Sequence, residues 1–232
     1  MSLSRARRQP RPRSFDDEHA GELCRRIHRR RDPAYYWATR RLPADVRPAV
    51  HALYAYVRIA DDIVDAPAAT APADERRREL DRWQDALRAG RAGEVPEHPV
   101  VAALVDAGDR HDLPLDGHEA YMRSMRIDCG PVRVETWDEL EDYMEGSAGS
   151  VGRIMAPLLG APTEAGAGFA RLGRGFQLAN FLRDVPEDLA LDRVYIPRED
   201  LERFGTGEED IAHRRATPGF RALVGFELGR EL

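Results

Sequence analysis

Residues 51–65 read His-Ala-Leu-Tyr-Ala-Tyr-Val-Arg-Ile-Ala-Asp-Asp-Ile-Val-Asp, an apolar stretch that carries three aspartates. Side chains on one face of a helix recur every three or four residues. The residues that recur in this way are Val50, Tyr54, Val57, Asp61 and Asp65. Carboxylates on a face that begins as core must be paired or bind a cation. The stretch therefore predicts a helix with either an ion pair to Arg58 or a metal site.

A second acidic segment, residues 177–188, reads Gln-Leu-Ala-Asn-Phe-Leu-Arg-Asp-Val-Pro-Glu-Asp. Its polar residues step by three, four and four positions, so an uninterrupted helix would align them on one face. These residues are Gln177, Asn180, Asp184 and Asp188. The other faces are apolar, which predicts a buried helix whose polar face meets a cavity, a ligand or another polar face. The two segments together predict the walls of one cation-binding cleft, although Pro186 would kink the second helix and displace Asp188.

Two rows of aspartates suit magnesium ions that are held against a diphosphate. Mg²⁺ prefers octahedral oxygen coordination and usually binds a few carboxylates, waters and substrate phosphates. Arg58 and Arg183 would contact phosphate oxygens through forked hydrogen bonds. The pattern predicts departure of a diphosphate, with an apolar pocket that shelters the resulting carbocation from water.

Residues 143–152 read Tyr-Met-Glu-Gly-Ser-Ala-Gly-Ser-Val-Gly and place several small residues within a predicted helix. Glycine in a helix costs up to ~1 kcal/mol relative to alanine, so something must pass close to the backbone here. Two interpretations remain open. The small residues allow close helix packing, or Gly149 and Gly152 leave room for the tail of an isoprenoid substrate.

The remaining sequence predicts one all-α domain over residues 15–232, because helical periodicity recurs between Pro and Gly breaks and no strand pattern is convincing. The predicted helices span residues 16–30, 44–66, 73–89, 97–111, 115–126, 136–159, 163–190 and 217–232. Residues 1–14 are rich in Arg and lack apolar periodicity, which predicts a disordered basic arm. Weak contact of this arm with anionic lipid headgroups is the alternative.

Composition restricts the classes of partner. The net charge of −6 argues against nucleic-acid binding, which normally needs a basic face. Cys24 and Cys129 fit neither a disulfide framework nor a zinc site, so a reducing cytoplasm is expected. No apolar run reaches the ~20 residues of a membrane span. Peripheral contact is the only association with a membrane that we expect.

These motifs resemble the squalene and phytoene synthase family of head-to-head isoprenyl transferases. The resemblance extends over about residues 30–200 and includes Leu42-Pro43, residues 54–65, residues 177–184, and Arg-Val-Tyr-Ile-Pro at 193–197. Within the family, Ser-Met-Arg-Ile-Asp at 124–128 and the small-residue segment at 144–152 look most similar to bacterial phytoene synthases. The resemblance implies the isoprenoid synthase fold, an all-helical fold around a central cavity.

The resemblance also implies an activity: Mg²⁺-dependent condensation of two geranylgeranyl diphosphates, through a cyclopropyl diphosphate, to phytoene for carotenoid biosynthesis. Mn²⁺ is the alternative ion. Squalene or dehydrosqualene synthesis from farnesyl diphosphate is the alternative reaction. Squalene formation uses a hydride from NADPH, which we do not expect here, and no glycine-rich nucleotide motif is visible.

By the same resemblance, site residues divide into three groups. The metal ligands would be Asp61, Asp62, Asp65, Asn180, Asp184 and Asp188. The residues that bind diphosphate would be Arg58, Gln177, Asn180 and Arg183. Tyr54 and Tyr143 would line the reaction centre.

Other functions remain open. The sequence departs from the family pattern at Asp32 and Ala34, where a basic, hydroxyl-bearing stretch is usual, and family members usually continue through further helices. A truncated, non-catalytic relative that acts as an interaction or assembly protein is therefore one alternative. A head-to-tail elongating synthase or a terpenoid cyclase is another, although the segment at 177–188 lacks the acidic motif expected of either.

Overall fold

Helices make up most of the computed structural model, which describes residues 15–66 and 71–230. The predicted basic arm, residues 1–14, lies outside the described residues. The helices are α1 (Phe15–Arg31), α2 (Pro33–Thr39), α3 (Arg47–Val64), α4 (Ala73–Ala92), α5 (Pro99–His111), α6 (His118–Ile127), α7 (Trp137–Met144), α8 (Ser150–Leu158), α9 (Gly166–Arg183), α10 (Val185–Ala190), α11 (Arg198–Arg203), α12 (Glu208–Ala212) and α13 (Pro218–Arg230). Two short strands, β1 (Val132–Arg133) and β2 (Arg193–Val194), pair in parallel.

Helix α3 lies within the largest core cluster and contacts α1, α4, α5 and α6. It begins at Arg47 rather than at the predicted residue 44, because Pro48 occupies its first turn, where a missing N–H does no harm. Its buried face includes Leu53, Tyr56 and Ala60. Asp65 caps its C-terminal end, so the acidic residues lie where the helix leaves the core.

The predicted helix over residues 136–159 is continuous but irregular. A π-helical turn, Glu145–Gly149, joins α7 to α8. A Cβ at Gly146 would lie 2.7 Å from the Ala120 carbonyl oxygen on α6, and one at Gly152 would clash with the Phe169 carbonyl on α9. Close helix packing therefore accounts for these two glycines.

The predicted helix over residues 163–190 is broken. Helix α9 ends at Arg183, Asp184 has non-helical dihedral angles, and Pro186 lies in the first turn of α10. Since an interior proline removes a backbone donor and clashes with the preceding turn, the break lies where the sequence predicted a kink.

The strand pair fixes the segment that follows α10. Val132 is in register with Arg193, and Arg133 with Val194. The short helices α11 and α12 were not predicted, because segments of five or six residues carry too little periodicity to detect.

Candidate active site

Residues from α3, α9 and α10 line one cleft of about 340 Å³. The predicted site residues that the cleft brings together are Arg58, Asp61, Asp65, Tyr143, Gln177, Asn180, Arg183, Asp184 and Asp188. The residues that line the cleft without having been predicted as site residues are Val64, Met125, Asp128, Phe181, Arg193 and Tyr195. The two aspartate segments, more than a hundred positions apart in the chain, thus share one cavity.

Asp61 and Asp65 form what we call the α3 wall. Asp61 is half-buried, and its carboxylate accepts a hydrogen bond of 2.9 Å from the Tyr121 hydroxyl. Burial raises the pKa of Asp61 to about 6, against the opposing effects of this hydrogen bond and of Arg58. Asp65 is exposed, and its Oδ1 accepts a hydrogen bond of 3.1 Å from Arg193 Nη1. Both carboxylates of this wall are therefore held by partners from other elements.

Asp184 and Asp188 form the α9–α10 wall. Asp184 accepts hydrogen bonds of 2.6 and 2.5 Å from Nε and Nη2 of its neighbour Arg183, which lowers the pKa of the Asp184 carboxyl. The Arg183 side chain is 69% exposed. Burial, and next the charge of Asp184, raise the pKa of Asp188 to about 6. In this wall, Asp184 is thus held by its neighbour in the sequence.

Asp128, at the end of α6, is a buried residue of the cleft that was not among the predicted site residues. Its Oδ2 accepts a hydrogen bond from the Tyr143 hydroxyl and its Oδ1 one of 2.8 Å from the Tyr195 hydroxyl. Burial raises its pKa to about 6, although both phenols oppose that shift. A signal was present, because Tyr121, Ser124 and Asp128 recur at helical spacing and continue a buried face.

Other predicted residues lie away from the cleft lining. Asp62 pairs with Arg58 and Arg31, each at 2.7 Å, because it is one position beyond Asp61 and so points about 100° around the helix. Tyr54 stacks on His28, with ring centroids 4.0 Å apart. Gly149 faces the Glu145 side chain, and Gly152 faces α9.

The carboxylates of the cleft fit a metal that is shared with a ligand better than one enclosed by protein. Among residues 15–66 and 71–230, no group of three or more His, Cys, Asp or Glu side chains is arranged to hold a metal ion by itself. Mg²⁺ commonly takes one or two carboxylates together with water and substrate phosphate oxygens. The raised pKa values of Asp61 and Asp188 indicate unfavourable negative charge that a cation would relieve.

No helix in the part of the chain that the structure describes is long and apolar enough to cross a membrane.

Comparison with known proteins gives matches over most of the chain. The squalene/phytoene synthase family model matches residues 28–231. Phytoene synthase of Thermus thermophilus is 37% identical over 199 residues, which cover 86% of this chain and 66% of that protein. The 15-cis-phytoene synthase of Synechocystis is 32% identical over 226 residues, covering 92% of this chain and 66% of that protein. The chain thus spans just under two thirds of the length of these two relatives.

Comparison with solved structures gives the same family of proteins. A dehydrosqualene synthase matches with a TM-score of 0.85 and 28% identity, over 93% of this chain and 74% of that one. The squalene synthase HpnC of Alicyclobacillus acidocaldarius matches with a TM-score of 0.83 and 31% identity, over 94% and 81% of the two chains. The predicted all-helical isoprenoid synthase fold is confirmed.

Proposed function

Because the chain belongs to the squalene/phytoene synthase family, as the sequence motifs predicted, we propose that it joins two geranylgeranyl diphosphates head to head to form phytoene. The observation that carries the proposal is the single cleft lined by both aspartate segments and by Arg58 and Arg183. Relatives described as phytoene synthases support geranylgeranyl diphosphate over farnesyl diphosphate as the substrate.

The polar residues of the cleft suit a diphosphate. Arg58 and Arg183 carry forked donors for its oxygens, and the side-chain amides of Gln177 and Asn180 add neutral donors. Asp61, Asp65, Asp184 and Asp188 would hold Mg²⁺, which supplies positive charge for the leaving diphosphate. Arg58 is already oriented by its 2.7 Å ion pair with Asp62.

The apolar residues of the cleft suit the hydrocarbon part of the reaction. Val64, Met125 and Phe181 exclude water from a carbocation that forms when the diphosphate leaves. In the proposed reaction this allylic cation adds to the double bond of the second substrate and gives a cyclopropyl diphosphate after proton loss. Loss of the second diphosphate, rearrangement and a further proton loss then give phytoene.

Product analysis tests the proposal. The purified chain is incubated with geranylgeranyl or farnesyl diphosphate, with and without magnesium. The extracted product is then identified from its molecular mass by mass spectrometry. We expect phytoene from geranylgeranyl diphosphate only when magnesium is present. Dehydrosqualene from farnesyl diphosphate, or squalene when NADPH is added to that incubation, would assign the alternative reaction. No diphosphate release from either substrate would favour the non-catalytic relative.

The proposal includes peripheral membrane contact, because a hydrocarbon product has little solubility in water and would leave into a bilayer. Sedimentation of the chain with lipid vesicles, in the presence and absence of substrate, measures that contact. Recovery of the chain only in the supernatant would contradict it.

A further inference from the structure

We propose that Asp128 is a positioning residue which, through the hydroxyl groups of Tyr143 and Tyr195, makes the aromatic floor of the cleft a surface that stabilises a cation. The aromatic floor consists of Tyr143, Phe181 and Tyr195. The inference rests on the proposed function, since the cation it concerns is the one left by a departing diphosphate.

Each carboxylate oxygen of Asp128 holds one phenol. Tyr143 donates to Oδ2, and Tyr195 donates to Oδ1 at 2.8 Å. Both tyrosines and Asp128 are at most 6% exposed, so water competes little for these bonds. Two charge-assisted hydrogen bonds to one buried anion fix the rotation of both rings.

The rings so fixed form one continuous surface. Phe181 and Tyr195 stack with centroids 4.0 Å apart and planes inclined by 17°, and Tyr143 lies 5.2 Å from Tyr195. Aromatic faces attract cations, and the attraction grows where water is excluded. A phenol that donates to a carboxylate also carries more electron density in its ring, because linked hydrogen bonds polarise one another.

The charge of Asp128 is unfavourable for folding alone. The cleft already contains the carboxylates of Asp61, Asp65 and Asp188, and a further buried anion raises the repulsion among them. The charge of Arg193 offsets part of this cost, although its guanidinium donates to the Asp65 carboxylate and to the backbone carbonyl of Asp128 rather than to the Asp128 carboxylate. Neutral residues would pack here at lower cost. An anion at this position is therefore better explained by a cationic occupant of the cleft.

A binding experiment tests the inference without turnover. The probes are N,N-dimethylgeranylgeranylamine, which is a cation at neutral pH, and geranylgeranyl thiolodiphosphate, which carries no positive charge. Affinities are measured with magnesium and inorganic diphosphate present for the amine, and with magnesium for the thiolodiphosphate. We expect Asp128→Asn to weaken binding of the amine about tenfold or more, as loss of a desolvated cation interaction implies, and to change the thiolodiphosphate affinity by less than about twofold.

Matched variants separate this role from a structural one. Asp200→Asn removes another buried aspartate, and Tyr56→Phe removes a buried hydroxyl, both outside the cleft. Neither should change the ratio of the two affinities. Tyr195→Phe, which loses a single hydroxyl, should lower amine affinity in the same direction as Asp128→Asn and provides the test if Asp128→Asn does not fold.

Turnover adds a second readout. If Asp128 acts through Tyr143, the kcat of the double variant Asp128→Asn/Tyr143→Phe should be no lower than that of the more impaired single variant, with KM nearly unchanged. If the two residues act independently, the fold-losses in kcat of the single variants should multiply in the double variant. Unchanged amine affinity in Asp128→Asn, or no binding of the amine by the unaltered chain, would overturn the inference. Binding of the amine that depends on Asp128 in a chain that forms no phytoene would instead overturn the proposed reaction and leave the cation site standing.

Discussion

The two acidic walls of the cleft carry similar side chains but are held in different ways. In the α3 wall, Asp61 is bound by Tyr121, 60 positions away, and Asp65 by Arg193, 128 positions away. In the α9–α10 wall, Asp184 is bound by its immediate neighbour Arg183. Burial raises the pKa of Asp61, whereas Arg183 lowers that of Asp184.

The difference indicates that the two walls are positioned to different degrees before the substrate binds. Partners from distant elements fix the α3 wall before a substrate arrives, which reduces the reorganisation needed when charge develops. In the α9–α10 wall, Asp184 lies at a helix break, and its carboxylate is paired only with its exposed neighbour Arg183 among the bonds described above. We expect bound diphosphate and metal to order the side chains of this second wall.

The largest expected effect is on catalysis and should be common to both walls. Asp61→Asn and Asp184→Asn each remove a ligand charge, so turnover should fall on the order of 10²-fold or more, by analogy with other preorganised electrostatic groups. Steady-state rates of phytoene formation over a range of magnesium concentrations measure the loss. Asp81→Asn is the matched control, because Asp81 pairs with Arg126 and neither residue lines the cleft.

The same assay on Asp62→Asn tests whether Asp62 is a metal ligand, as the sequence predicted. A loss in Asp62→Asn equal to that in Asp61→Asn would support that role. Near-normal turnover in either Asp61→Asn or Asp184→Asn would remove that wall from the proposed mechanism.

The second largest effect is on the free energy of unfolding, and we expect it to differ between the two walls. Arg193 is buried, and its replacement by Gln leaves the Asp128 carbonyl and the Asp65 carboxylate without their charged donor. We expect a loss of about 2 kcal/mol in the free energy of unfolding. Arg183→Gln, at an exposed pair, should change it by less than about 0.5 kcal/mol.

Urea unfolding of the two arginine variants, without substrate or magnesium, makes the comparison directly. Equal losses would mean that the α9–α10 wall is fixed as firmly as the α3 wall. A loss near zero for Arg193→Gln would mean that the long-range contact of Asp65 contributes little to folding.

Local periodicity explains what the sequence could predict. The all-helical fold, the two aspartate segments and the break near Pro186 all follow from residues within a few positions of one another. The partners of those aspartates do not, because Tyr121 and Arg193 reach the cleft through tertiary contacts between distant segments.

The predicted site residues that do not line the cleft show the same limit of prediction from local sequence. Asp62 shares a motif with Asp61, yet the helix turns it towards Arg31. Tyr54 lies on the predicted face, but a ring contact with His28, which no sequence spacing indicates, accounts for its position. Asp128 is the reverse case, since its helical spacing from Tyr121 and Ser124 is a local signal that places it on a buried face.

The smallest effect is a difference in how stability depends on pH, measured without magnesium. Folding raises the pKa of Asp61 to about 6, so between pH values of about 4 and 6 the folded state binds more protons than the unfolded state. The contribution of Asp61 to stability is therefore fully present below its unfolded pKa and is lost as pH rises through about 6. Asp184 has the opposite sign, because its lowered pKa gives stability that is lost as pH falls.

Asn at these positions should reveal the two signs. At pH 7.5 with a chelator present, Asp61→Asn should be more stable than the unaltered chain by on the order of 1 kcal/mol, and the gain should disappear near pH 4. The Asn amide oxygen can still accept a hydrogen bond from the Tyr121 hydroxyl, so the packing is preserved. Asp184→Asn should instead be slightly less stable at pH 7.5, by less than about 0.5 kcal/mol, because its pair with Arg183 is largely solvated. Unfolding curves at several pH values test both signs, and a gain for Asp184→Asn, or a loss for Asp61→Asn at pH 7.5, would contradict the difference between the walls.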